Sequence, residues 1–192
     1  MNASGTYQDI PKTGRIGRFA RFVEKKTNLE AYHRIMKNAP GYNQLKADQK
    51  AIWWKEAVER MEKELGIEQS GEVMRACGEK CCGKGSRELA LKLMEESGSI
   101  ENFLHKLSHY KVKEGDLEFT LIDEHTIRGR YNKCFCGQVR ETPGAFAGKT
   151  YCQCSVAYNK QFFGAALNKP VEVRLNKSII SGDDYCEFEV DF

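Results

Sequence analysis

The chain has 192 residues, 41% of them apolar and 30% charged, with a formal net charge of +3. This is enough for one full core, or one domain with a sizeable extension, of ordinary globular composition. The charge is too mild for a nucleic-acid surface, which needs a concentrated basic face; no apolar run could span a bilayer, and no secretory h-region opens the chain, so a cytoplasmic setting with reduced thiols is expected.

Residues 1 to about 16 read as irregular, broken by Asn2, Ser4, Gly5, Pro11 and Gly14. Lys12, Arg15, Arg18, Arg21, Lys25 and Lys26 form a basic stretch, expected to be a solvated helix face. From Arg15 to Asn38, Phe19, Phe22, Val23, Leu29, His33 and Met36 recur as in one or two helices, with Asn28 able to cap the second. After Ala39-Pro40-Gly41, a helix from about Tyr42 to Leu65 buries Leu45, Ile52, Trp53, Ala57, Met61 and Leu65, and Gly66 ends it. Ser70 is expected to cap a short helix that runs into Cys77, and Ser86 to cap the next, with Leu89, Ala90, Leu93 and Met94 inward. A further helix carries Ile100, Phe103, Leu104 and Leu107.

The period changes at about Lys113. Leu117, Phe119 and Leu121 alternate, as do Ile127, Gly129 and Tyr131, with a turn at Asp123-Glu124-His125. A loop spans Arg140 to Lys149. Ser155 is expected to cap a helix with Val156, Tyr158, Phe162, Phe163, Ala166 and Leu167 on a broad apolar face, closed by Asn168 and Pro170. Val171, Val173 and Leu175 start a strand, Ser181 to Asp184 a hairpin loop, and Cys186, Phe188 and Val190 share a face of the last strand. The expected fold is therefore α+β: a helical N-terminal half, residues 1–112, packed on a C-terminal ββαββ antiparallel-sheet domain, residues 113–192.

Seven of the eight cysteines fall into three knots: Cys77, Cys81 and Cys82; Cys134 and Cys136; Cys152 and Cys154. Each knot offers two thiols from one short stretch, as metal and redox sites do, and the reducing setting argues against a disulfide framework. Cys77 and Cys81 are one helical turn apart, with Cys82 turned away. Cys134 and Cys136 would point to one side of a strand. The start of a helix would favour the thiolate at Cys154. Zn²⁺ takes four ligands and prefers thiolates among them; an Fe–S cluster also takes four cysteines. Thiol redox chemistry, with Cys82 or Cys154 as nucleophile, is a third possibility, and plain burial as small hydrophobes a fourth. Cys186, beside Phe188 and Val190, is assigned to the core.

The last forty residues resemble a known family. A cysteine before a helix (Cys154), aromatics along it (Phe162, Phe163), an alternating strand (Val171, Val173) and a G-D-x-x-C-x-F motif (Gly182, Asp183, Cys186, Phe188) resemble the vinyl-4-reductase type of small-molecule-binding domain. They also resemble the related 2-amino-thiazoline-4-carboxylic acid hydrolase-like proteins. The resemblance covers about residues 115 to 192 and looks like that of a cysteine-rich, uncharacterised branch. It implies an antiparallel sheet packed on helices around an apolar ligand cavity; some members resemble metal binders. Ser178 stands where many relatives carry a cysteine, which weakens any role built on a cysteine pair at Cys186.

Other candidates have ordinary explanations. His105 and His109 project off their helix's apolar stripe, and Asp183 and Asp184 suit a turn. Arg128, Arg130 and Tyr131, with Tyr151 and Tyr158, could line a polar mouth to the cavity or stand exposed on a strand. Trp53 and Trp54 could form a contact face for a protein partner if exposed. The sequence therefore leads to a ligand- or metal-binding, sensor-like module with Cys-ligated Zn²⁺ (or an Fe–S cluster) and a small apolar or amphipathic ligand. The alternative is a metal- or thiol-dependent hydrolase or reductase. No nucleic-acid partner is expected.

Overall fold

The computed structural model describes residues 10–192; the expectation for residues 1–9 lies outside them. Helix α1 spans Gly14–Lys26 and buries Ile16, Phe19, Ala20 and Val23, which recur at helical spacing. Helix α2, Leu29–Ile35, is capped as expected: the Asn28 side chain accepts from the Ala31 amide. A 3₁₀ turn, Ala39–Gln44, leads into α3, Ala47–Cys81.

Gly66 does not end α3. It bends it, with φ 78° and ψ 168°, and the helix runs on to the cysteines. The left-handed φ is why glycine stands there. Ser70 is consequently no cap: it is inside the helix, with its Oγ buried and unpartnered. Helix α4, Lys84–Ser97, starts behind Gly83 rather than Ser86. Helix α5, Ile100–Ser108, starts behind Ser99, whose side chain accepts from the Asn102 amide.

Strands β1 (Leu117–Asp123) and β2 (Thr126–Tyr131) form a hairpin, helix α6 spans Gln153–Leu167, and β3 (Glu172–Lys177) and β4 (Cys186–Asp191) complete the expected ββαββ order. All pairings are antiparallel in the order β1-β2-β4-β3, with β2 and β4 central. The Asp183 carboxylate accepts from the Ser178 amide, which is the turn role expected of it.

Two cores result. The first joins α1–α3 through Phe19, Tyr42, Trp53 and Trp54, and takes in Val139, Phe146, Tyr151 and Ile180 from the far side of the chain. The second joins α4 and α5 to α6 and the sheet through Phe103, Phe119, Phe163 and Phe188. Both tryptophans are interior, Trp53 at 4% and Trp54 at 0% exposure, so neither offers a contact face. Gly78 fixes how the layers meet. A Cβ there would stand 2.1 Å from the Cys154 carbonyl oxygen, so α3 and the start of α6 touch backbone to backbone.

Candidate functional site

A cavity of about 480 Å³ lies between α1, the end of α3, α4, α5, the sheet and α6. That volume suits a small organic ligand. Its wall has two characters. Leu89, Leu93, Leu107, Val112, Leu117, Phe119, Phe162 and Phe163 make an apolar end; Cys81, Cys134, Cys136, Cys152, Cys154 and Cys186, with Arg15 and Tyr151, make a thiol end.

The knots do not behave alike. Cys81 and Cys154 reach the wall, whereas Cys77 is buried behind it at 2% exposure and Cys82 belongs to the second core at 0%. Cys82 is thus turned away from Cys81, as helical spacing requires, and is in no position to attack a cavity ligand. Strand β2 stops at Tyr131, so Cys134 and Cys136 sit in the following loop rather than on a strand; both still line the cavity. Helix α6 begins behind Cys152 rather than Ser155, which puts Cys154 inside the first turn. The expected helix-start effect on Cys154 is overturned there: burial pushes its thiol up to about 12, against the opposing pull of Arg15. Burial likewise raises Cys77 to about 12, Cys134 to about 11, and Cys152 further still. These four therefore stand as neutral thiols.

Cys186 is a correction in the other direction. It is half-buried on the cavity wall, not in the core, and its Sγ accepts from the Ile179 amide at 3.4 Å. The alternation of β4 places it on the same face as Phe188, but at the strand's end that face opens into the cavity. Ser178, fully buried, is 3.1 Å from the Cys152 sulfur through its Oγ.

Arg15 is the residue that the basic-stretch reading misplaced. Its Nη1 donates to Cys136 Sγ at 2.7 Å and to Tyr151 Oη at 3.1 Å, and Nη2 lies 3.9 Å from Cys81 Sγ. Arg18 Nη2 donates to Cys81 at 3.2 Å, while its buried Nε has no partner. Lys12, Arg21, Lys25 and Lys26 are exposed, as expected. Burial works against the Arg15 charge, but the acidic groups of Tyr151, Cys136 and Cys154 outweigh it and the net shift is upward. Among the described residues no Asp or Glu pairs with Arg15 or Arg18. Sequence held one signal: Arg15 precedes Phe19 by four residues, so it flanks the buried stripe of α1.

The tyrosines divide. Tyr131, Tyr151 and Tyr158 line the cavity. Arg128 pairs with Glu189 at 3.5 Å, and Arg130 stacks on the Tyr185 ring at 3.8 Å; both are off the cavity. Asn159, unremarked in the sequence, lines the wall at 3% exposure; Tyr131 Oη donates to its Oδ1 at 3.4 Å and its Nδ2 has no partner. His105 and His109 lie ring to ring at 4.7 Å on the exposed face of α5. As the side chains stand, no three His, Cys, Asp or Glu among the described residues are grouped to hold a metal ion.

Fold and cavity together define an α+β module with a mixed apolar and thiol-lined cavity. The chain belongs to the family of unknown function DUF6144, whose model matches residues 18–191. No curated protein matches it. Among solved structures, the phenol-responsive sensory domain of the transcription activator PoxR, crystallised with phenol, is similar at 20% identity over 77% of this chain and 74% of that one, with a TM-score of 0.46. An H-NOX protein from S. oneidensis in the Fe(II)NO ligation state is similar at 14% identity over 92% and 96%, also with a TM-score of 0.46. Likeness at this level carries no argument about the site.

Proposed function

We propose that the chain is a small-molecule-binding module of the sensor type, which holds an amphipathic organic ligand in the cavity between helices and sheet. The observation that carries this is the cavity's two-ended wall: an aromatic and aliphatic end large enough for a carbon skeleton, and a polar end with Arg15, Tyr151 and thiols. A wall of that kind buries apolar surface and leaves a few polar groups to fix orientation. The resemblance of residues 115 to 192 to vinyl-4-reductase-type domains belongs with this reading. No helix among the described residues is long and apolar enough to cross a membrane.

Thermal unfolding of the full chain against a panel of aromatic and aliphatic amphiphiles tests the reading. A ligand at a hundred times its Kd adds about 2.7 kcal/mol of stability, which for a chain of this size raises Tm by roughly 5–10 °C. Leu107→Trp, which fills the apolar end, should keep the fold and abolish that rise. A panel without any stabilising compound, or a rise that survives Leu107→Trp, would sink the reading.

A second reading is a Cys-ligated metal, Zn²⁺ first and an Fe–S cluster next. Two guanidiniums turned on thiols rather than carboxylates favour it, because four thiolates around Zn²⁺ carry a net charge of −2 that Arg15 and Arg18 would balance. Cys77, Cys81, Cys136 and Cys154 are the set nearest those two cations; Cys134 and Cys186 group with Cys152, beside Ser178, instead. The set fits only if its thiols deprotonate and turn inward from their present positions. One metal per chain by elemental analysis, with Tm lowered by chelator, is the expected result. Metal-free protein indifferent to chelator would discard it.

A further inference from the structure

Two polar groups on the cavity wall lack a matching acceptor: Arg15 has no carboxylate, and Asn159 has a donor with no partner. Arg15 donates from Nη1 to Cys136 and Tyr151 and, at a long 3.9 Å, from Nη2 to Cys81, so all of its partners are thiols or a phenol and none is a carboxylate. A guanidinium stays protonated in proteins, and holding one in a half-buried wall without an anion is costly. Asn159 is the second. Its Oδ1 is taken by Tyr131, and Nδ2 is buried on the cavity wall with no partner. Unpaired buried donors are rare, and each asks what occupies the space in front of it. The same wall carries hydrocarbon for a carbon skeleton: Leu93, Leu107, Phe119 and Phe162.

We propose that the ligand is an apolar acid, with a carboxylate held by Arg15, a carbon skeleton in the aromatic end, and a further oxygen on that skeleton accepting from Asn159 Nδ2. This rests on reading the cavity as a binding site, and names the class of molecule it takes. A single guanidinium matches the single charge and planar fork of a carboxylate. Phosphate would need more donors than this wall offers, and a neutral hydrocarbon would leave Arg15 without a counter-charge and Asn159 Nδ2 without an acceptor.

Calorimetric titration of the full chain uses 2-naphthoate and its uncharged isostere 2-naphthamide, with 6-hydroxy-2-naphthoate as a third probe. The acid should bind at least about tenfold more tightly than the amide, as one charge-assisted hydrogen bond provides. Arg15→Gln should erase that preference while amide binding persists, which also shows the variant to be folded; Arg15→Lys should retain part of it. Asn159→Leu should remove the extra affinity of the hydroxylated acid and leave 2-naphthoate unchanged.

Equal affinity for acid and amide, or a preference that survives Arg15→Gln, would overturn the proposal while the cavity reading stands. Binding by none of the probes would bring both down. A stoichiometric tetrathiolate metal would supply the missing counter-charge itself; the preference for the acid would then be absent, which also overturns it.

Discussion

The two cores of this molecule are built on different terms. The sheet core is almost pure hydrocarbon: Phe103, Phe119, Phe163 and Phe188 meet edge to face or tilted, with ring centroids 5.9–6.3 Å apart. The α1–α3 core interleaves aromatics with polar atoms; Trp54 Nε1 donates to Tyr42 Oη at 2.8 Å, and Tyr42 donates on to Gln138. The cavity lies where they meet, and inherits an apolar wall from one and thiols and arginine from the other. The lesson is that stability and chemistry are divided between them. The sheet core can be dense because it holds nothing that must ionise or react.

The contrast can be broken most sharply at two glycines. Gly78→Ala should cost more than about 4 kcal/mol or prevent folding, because the new methyl meets the Cys154 backbone and no side chain can yield. Gly129→Ala, in the sheet core, meets the Phe188 ring at 2.4 Å; the ring can tilt, and a cost of about 1–3 kcal/mol is expected. Urea denaturation of the two variants compares them directly. Equal costs would mean that the α3–α6 contact is looser than it stands here.

Phe163→Ala should cost about 3–5 kcal/mol, the usual range for an aromatic removed from a dense core. Trp54→Phe keeps most of the packing and loses one hydrogen bond, for about 1–2 kcal/mol. A larger loss from Trp54→Phe than from Phe163→Ala would invert the ranking of the cores.

Alkali should act through the thiol side of the comparison. Cys77 and Cys154 are held protonated in the fold to about pH 12, whereas the unfolded chain releases those protons near pH 9. Between those values the native state binds more protons than the unfolded one, so stability falls as pH rises. The slope is about 1.4 kcal/mol per pH unit for each such thiol. Denaturation midpoints between pH 8 and 11 measure it, and Cys77→Ser with Cys154→Ser should reduce the slope without abolishing it, because burial raises Cys134 and Cys152 as well. A flat wild-type curve would contradict the burial of these thiols. The smallest effect belongs to the surface: Lys26→Gln removes an exposed pair with Glu72 at 3.0 Å, and Tm should stay within measurement error.

Much of the fold was legible because it follows period. The stripe of α5, the alternation of β1 and β2, and the ββαββ order all repeat at intervals that only one element type satisfies. Helix boundaries were less so. Ser70, Ser86 and Ser155 have the chemistry of caps, yet Gly66 bends α3 instead of stopping it, Gly83 starts α4, and the turn at Cys152 starts α6. Tertiary packing chose among competing starts. Each of the three cysteine knots puts at least one thiol on the cavity wall, although Cys77 and Cys82 stay off it, because short spacings keep thiols near one another whatever the backbone does. Arg15, Asn159 and Cys186 could not be found that way. Arg15 depends on partners 66 to 136 residues distant, and Asn159 and Cys186 on a cavity that no local pattern encodes.

The strand order has a kinetic consequence. The centre of the sheet is the pairing of residues 126–131 with 186–191, whereas β1 with β2 is a local hairpin. Loop closure over some sixty residues is slower than closing a hairpin. The cavity therefore has no finished wall until β4 docks, carrying Cys186 with it. A chain still growing from the ribosome can form the helix that carries both tryptophans and the first hairpin, but it cannot hold a ligand until β4 has emerged.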